Sequence, residues 1–204
     1  MKTQVAIIGA GPAGLLLGHL LKAEGIDCVV VERQTPDYVL SRIRAGVLEQ
    51  ITVSLLERLG LDGRLKAEGL VEHGFNLADG ERLIRIDCMG LTGKSVVVYG
   101  QTEITRDLMD AAPSRGLEVI YGAENVALHG VESDAPAITF RKNGAERRIE
   151  ARFIAGCDGF HGPSRKAIPA SAAREYERVY PFGWLGILAD VPPCHEELIY
   201  ANHE

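Results

Sequence analysis

The sequence predicts an α/β protein built on a mainly parallel sheet. Three observations carry this. Gln4–Ile8 is a short β-branched apolar run, and Cys28–Val31 is a second, unbroken by polar residues. Continuous apolar runs of this length mark strands buried on both faces, as parallel sheets require. Between them, Pro12–Glu24 carries Leu15, Leu16, Leu20 and Leu21 at helical spacing, with Pro12 in the first turn and Gly25 past the end. A glycine-rich turn, Gly9 to Gly14, joins the first strand to the helix. The result is a β-α-β unit, whose crossover is expected to be right-handed.

The remaining elements follow from the change of period along the chain. Thr35-Pro36-Asp37 reads as a turn and Ser41–Gly46 as a basic loop. Val47, Ile51, Leu55 and Leu59 are four apart, predicting a helix over 47–59, and 61–68 a second short one. From Glu72 to Tyr99 the period becomes two, with Phe75, Leu77, Leu83, Ile84, Ile86, Val96 and Val98 forming an antiparallel set turned at Asp79-Gly80 and Thr92-Gly93. Thr102–Ala112 is a helix that Pro113 helps to stop. Strands are expected at 119–121, 126–131, 137–141, 147–151 and 153–155, with Asn143-Gly144 as a tight hairpin turn. Another is expected at Trp184–Asp190, and Leu198-Ile199-Tyr200 follow the turn at Pro192-Pro193.

Composition removes several function classes. The net charge of −6 over 204 residues argues against a nucleic-acid partner, whose phosphates are met by Lys and Arg. No run approaches the ~18 apolar residues of a membrane span, and no signal peptide is read at the N-terminus. Cys28, Cys88, Cys157 and Cys194 stand singly. This spacing predicts no metal site and fits reduced thiols in a cytoplasmic protein. The histidines show no metal spacing either, and no G-x-S-x-G elbow is present, so any hard chemistry falls to a cofactor.

The stretch Gly9-Ala10-Gly11-Pro12-Ala13-Gly14 fits the dinucleotide-binding pattern, and its context supports the match. Gly9 permits the tight turn, Gly11 lets a pyrophosphate approach the backbone, and Gly14 lets helix and strand pack closely. The helix N-terminus then offers unpaired N–H groups and the positive end of its dipole. Glu32, at the end of the next strand, is placed to accept hydrogen bonds from an adenosine ribose. The motif leaves FAD and NAD both open. Gly156-Cys157-Asp158-Gly159, a second Gly/Asp turn far along the chain, is foreign to a simple nicotinamide domain, although Asp158 could equally hold a turn. Arg42 and Arg44 form a basic loop suited to phosphate, or simply a solvated one.

These residues resemble a known family. Val5 to Leu15 looks like the FAD fingerprint of class A flavoprotein monooxygenases. The stretches Glu32 to Tyr38, Arg42 to Gln50, Tyr99 to Glu103, Cys157 to Gly162, Tyr180 to Trp184 and Glu197 to His203 are similar to the aromatic hydroxylases of the 4-hydroxybenzoate type. The resemblance covers essentially the whole chain. It implies a Rossmann-like FAD-binding domain over 1–180, with the antiparallel strands of 72–99 shared with a substrate domain that begins at 181–204. It implies that Gly9, Gly11, Ala13 and Gly14 meet the FAD pyrophosphate and Glu32 the ribose. Arg42, Ile43, Arg44, Ala45, Gly46 and Val47, with Gln101, would line the flavin side, and Asp158 would join the motif shared by FAD and NADPH. Arg33, Gln34, Tyr38 and His161 match positions associated with NADPH. Tyr200 matches the catalytic, substrate-binding tyrosine at the substrate's phenol oxygen.

The implied activity uses NADPH, dioxygen and a small aromatic acid, converting 4-hydroxybenzoate to 3,4-dihydroxybenzoate. Relatives of this family run to about twice the length, so the resemblance also implies a C-terminally truncated chain that is inactive by itself, and a homodimer for the full-length protein. The carboxylate-gripping arginine and serine are not in this sequence. Ala13 stands where the family often has serine, a position its backbone N–H can serve. A related monooxygenase acting on another aromatic acid, and an FAD-binding fragment without catalysis, are the alternatives.

Overall fold

The computed structural model describes residues 1–42, 44–187 and 189–202. Its centre is a six-stranded sheet. The chain enters it through β1 (Lys2–Ile8), crosses by α1 (Pro12–Ala23) and returns as β2 (Cys28–Val31). After an excursion it contributes β8 (Glu118–Ile120), β9 (Glu124–His129), β10 (Ala137–Lys142) and β11 (Ala145–Gly156). The strand order is β8-β2-β1-β11-β10-β9. The first four run parallel, while β10 and β9 are antiparallel. This is the mixed, mainly parallel α/β sheet that the sequence predicts.

Side-chain alternation explains the unbroken apolar runs. Val5 and Ile7 of β1 and Val30 of β2 join one core, with Leu15, Leu56 and Leu108. Ala6, Ile8, Val29 and Val31 join the other, with Ile138, Phe140 and Ile149. Both sheet faces are therefore apolar over Val5–Ile8 and Cys28–Val31, so each of these residues is apolar. Helix α6 (Gln101–Ala111) packs on α1, burying Ile104, Thr105 and Leu108.

The excursion between β2 and β8 supplies α2 (Pro36–Ser41), β3 (Val47–Glu49), α3 (Gln50–Leu59), α4 (Gly63–Glu68), β4 (Leu70–Glu72), β5 (Phe75–Asp79), β6 (Arg82–Ile86), α5 (Cys88–Thr92) and β7 (Val96–Val98). Two small sheets form here, β3-β7-β4 and β12-β5-β6, the last strand being β12 (Leu198–Asn202).

Several expectations need correction. Val47 to Glu49 are a strand, not the start of a helix, because their backbone pairs with Val96 to Val98. The four-residue spacing is misleading: Ile51 is 70% exposed, and α3 instead buries Val53, Leu56 and Leu59. Thr35-Pro36-Asp37 opens α2, the Thr35 hydroxyl accepting the Tyr38 N–H at 3.3 Å. Thr92-Gly93 is not a hairpin turn. It closes α5, which Asp87 caps by accepting the Gly90 N–H at 3.0 Å. The segments 147–151 and 153–155 are one strand, β11, which serves β10 with its first half and β1 with its second. Phe153 on that strand is 59% exposed rather than core. Among the described residues, 184–190 hold no strand, and Trp184 is 96% exposed. An apolar run does not make a strand where no described partner backbone lies alongside. The hairpins at Asp79-Gly80 and Asn143-Gly144 form as expected.

Candidate functional site

The C-terminal ends of β1, β2 and β11 are adjacent, and the loops leaving them converge. Gly9 has φ +106°, a conformation closed to side chains, and a Cβ there would lie 2.4 Å from the Cys157 carbonyl oxygen. A Cβ on Gly14 would lie 1.9 Å from the Gly9 carbonyl oxygen. Gly11 is different, for its Cβ position is open to 4 Å. Two glycines are thus required by the protein's own backbone, and the third leaves space for something else.

That space faces the start of α1. The helix has no side-chain cap, and its first backbone bond runs from the Leu15 N–H to the Gly11 carbonyl at 3.0 Å. The N–H groups of Ala13 and Gly14 therefore lie within the helix's unpaired first turn, beside the positive end of its dipole. No acidic residue occupies that turn. An uncapped, glycine-lined helix start is a cradle for a phosphate pair.

Glu32 stands half-buried beside it. One carboxylate oxygen accepts the Ala10 N–H at 2.9 Å and the other accepts the Gln34 N–H at 2.8 Å. The carboxylate thereby ties the glycine turn to the end of β2, and each oxygen keeps a further lone pair for a diol. Its charge also reaches Tyr121, whose hydroxyl is pushed up to about 12 by burial first and by Glu32 second.

On the other side of β1, Asp158 accepts the Ser164 N–H at 2.8 Å and packs over Gly162. Here the turn-holding alternative is what the geometry displays. The neighbouring Cys157 thiol is raised above its ordinary range by burial and then by Asp158. His161 is exposed, edge-on to Phe160 at 5.0 Å. A broad depression at this turn is lined by Arg152, Phe153, Ile154, Gly156, Asp158 and Ser164, and by neither the glycine turn nor Glu32. The crevice, with its bare helix start and paired carboxylate, is the place for a dinucleotide.

The expected flavin-side loop leads into β3. The Tyr99 N–H donates to the Gly46 carbonyl at 2.7 Å, and Gly46 lies against Gly100, next to Gln101 at the start of α6. Ala45, Gly46, Val47 and Gln101 thus come together, whereas Ile43 lies outside the described residues. Arg42 and Arg44 are exposed, Arg42 standing 5.8 Å from the Tyr38 ring centre. Arg33, Gln34 and Tyr38 follow β2, while His161 follows β11, so the four flank β1 from opposite sides. Tyr200 is elsewhere, on β12, its ring edge-on to Phe75 at 5.4 Å.

Sequence reasoning missed one polar network. Arg64 donates to Asp107 at 2.6 Å, to Glu103 at 2.6 Å and to Glu68 at 2.9 Å, and the Tyr99 hydroxyl donates to Asp107 at 2.6 Å. It ties α4 to α6 and so steadies the helix that begins at Gln101. The Tyr99 hydroxyl is held well above the usual phenol range by burial and by Asp107. No local pattern announces this, because the partners are up to 43 residues apart.

A glycine turn shaped by its own backbone, an open helix start and a carboxylate at the end of β2 define a dinucleotide-binding α/β domain. The family model described as FAD binding domain matches residues 2–204, and the chain belongs to that family. Among known proteins, it is 53% identical to p-hydroxybenzoate hydroxylase of Acinetobacter baylyi, over 100% of this chain and 50% of that one. It is 25% identical to pentachlorophenol 4-monooxygenase of Sphingobium chlorophenolicum, over 85% of this chain and 33% of that one. The chain therefore spans half or less of the length of these relatives. Among solved structures, PqsL of Pseudomonas aeruginosa, a probable FAD-dependent monooxygenase, shares the fold with a TM-score of 0.72 at 20% identity, over 89% of this chain and 48% of that one. No helix among the described residues is long and apolar enough to cross a membrane.

Proposed function

We propose that this chain is the FAD-binding part of an NADPH-dependent aromatic hydroxylase that converts 4-hydroxybenzoate to 3,4-dihydroxybenzoate. The observation that carries the reading is the 53% identity to p-hydroxybenzoate hydroxylase, which runs through the whole chain, the Tyr200 strand included. Bound FAD supplies the redox chemistry and the activation of dioxygen. The chain's own residues bind and orient. The Ala13 and Gly14 N–H groups receive the pyrophosphate, Gly11 gives it room, and Glu32 takes the ribose hydroxyls. Arg42, Arg44, Ala45, Gly46, Val47 and Gln101 line the flavin side, and Asp158 holds the turn that faces it. Arg33, Gln34, Tyr38 and His161 receive NADPH.

Tyr200 binds the substrate's phenol oxygen. A phenolate ring is a far better nucleophile than a phenol, so a tyrosine hydroxyl at that oxygen assists by taking part in the proton's departure. In this reading the domain of residues 1–180 holds the cofactor, and β12 with β5 and β6 begins the substrate domain.

The test is direct. The natural full-length protein is purified, and NADPH oxidation is followed with and without 4-hydroxybenzoate while the product is identified. Stimulated oxidation with 3,4-dihydroxybenzoate as product supports the reading. Flavin-containing protein that forms no such product, or that hydroxylates a different aromatic acid faster, refutes the substrate assignment and leaves the FAD site standing.

A further inference from the structure

The chain passes from β7 into α6 through Tyr99 and Gly100, and the flavin-side loop crosses it there. The two backbones touch, for a Cβ on Gly46 would lie 3.2 Å from the Gly100 Cα. Gly100 is the N-cap of α6 and has no side chain to fix the direction in which the helix leaves. Two contacts hold the corner itself. The Tyr99 N–H donates to the Gly46 carbonyl at 2.7 Å, and the Thr102 hydroxyl donates to the Leu40 carbonyl at 3.4 Å. Both act at the corner, so neither one sets the axis of the helix.

The Tyr99 side chain reaches further. The residue is only 4% exposed, and its hydroxyl donates to Asp107 Oδ2 at 2.6 Å. Asp107 lies two turns into α6, about 9 Å along its axis. Its Oδ1 accepts from Arg64 Nη1 at 2.6 Å, so each oxygen has its own donor. Arg64 is anchored in turn by Glu68 on α4 at 2.9 Å and by Glu103 on α6 at 2.6 Å. Hydrogen bonds to a charged group are short and hold direction well. Burial and then Asp107 keep the Tyr99 hydroxyl well above the usual phenol range, so it stays a donor. Tyr99 therefore grips the loop with its amide and the helix with its hydroxyl. All of these partners lie between residues 40 and 107.

We infer that Tyr99, with Asp107 and Arg64 behind it, is a corner brace that sets Gly46 and Gln101 against each other at the flavin side of the crevice. None of the three is among the cofactor contacts proposed above, so their part is positioning. The inference rests on the reading of Gly46 and Gln101 as flavin-side residues. ADP tests the two separately, because it carries the adenosine and pyrophosphate of FAD but not the flavin.

The experiment uses the natural full-length protein stripped of flavin and titrated with FAD and with ADP. Tyr99→Phe keeps the ring and loses the hydroxyl. It raises the Kd for FAD about tenfold, equivalent to about 1.4 kcal/mol, and leaves that for ADP unchanged. Asp107→Asn leaves one oxygen for two donors and does the same. The double variant loses no more affinity than the worse single one, because the two residues act as a unit. The visible circular dichroism of the bound flavin shifts in each. FAD affinity and dichroism unmoved in Tyr99→Phe, whatever the urea midpoint does, overturn the brace and leave the network a structural one. Equal losses of FAD and ADP, or losses that add in the double variant, overturn it as well. Wild-type protein whose FAD is not displaced by ADP refutes the crevice reading itself and takes the brace with it.

Discussion

The three glycines of the β1–α1 turn should fail in different ways when a side chain is added. At Gly14 a Cβ meets the Gly9 carbonyl oxygen at 1.9 Å and the Gly9 carbonyl carbon at 3.1 Å. Both are backbone atoms in a turn already tied to Glu32 and Cys157, so no flexible side chain can yield. Overpacking of this kind costs roughly 1–3 kcal/mol, and Gly14→Ala belongs at the upper end. At Gly11 the backbone is extended, φ −72° and ψ 178°, and nothing lies within 4 Å. Gly11→Ala removes unfolded-state freedom without strain and should leave the fold unchanged or steadier by about 0.4–1 kcal/mol. Gly11→Val fills the space the pyrophosphate needs. Urea unfolding of the flavin-free chain measures the first effect, with ligand stabilisation removed from the comparison. The ratio of flavin to protein absorbance after purification measures the second. Gly14→Ala is expected to shift the urea midpoint down. Gly11→Val is expected to keep the fold and lose the flavin. A Gly11→Val chain that retains full flavin, or that unfolds as readily as Gly14→Ala, would refute this division of labour.

Two further tests address buried polar groups. His19 is fully buried, with its Nε2 donating to the Leu108 carbonyl at 2.8 Å and its Nδ1 without a partner among the described residues. Burial, and secondarily Arg115, lowers its pKa against the Leu108 bond. The unfolded chain thus binds a proton more readily than the folded one. The His19 contribution is fully present above the unfolded value of about 6.5 and is lost as pH falls from there through the folded value. His19→Leu should flatten that part of the urea-midpoint profile between pH 8 and 5, and an unchanged slope would count against it. Glu32→Gln leaves one oxygen to accept where two now serve Ala10 and Gln34. It should cost about 1–3 kcal/mol and reduce FAD affinity, measured by flavin titration of the apoprotein. Unchanged affinity and stability together would remove Glu32 from the site.

The cofactor-binding end of the molecule was legible because its signals are local. A strand, a turn and a helix start occupy Val5 to Leu15, and the acid that completes the site ends the very next strand. Where the reading failed, the deciding partner was distant in the chain. Val47 heads a run of apolar residues four apart, yet the backbone of Val96 to Val98 claims Val47 to Glu49 as a strand. Residues 184–190 form an apolar run like that of a buried strand, but no described strand pairs with them. Asp158 was read with two roles open, and the structure displays one of them, the Ser164 N–H held across its own turn.

The sequence by itself determined the class of ligand. A glycine must stand where a carbonyl or a phosphate comes close, and an unbroken apolar run must lie between two covered faces, so these constraints are written residue by residue. The tertiary structure added the distances: backbone closes on Gly9 and Gly14 and leaves the Gly11 position open. It alone brought Arg64 to three carboxylates and Arg85 across β5 to Glu197. Such pairings are set by sheet order and crossing helices, and a charged side chain on a short strand reads the same whether its partner is water or a carboxylate more than a hundred residues away.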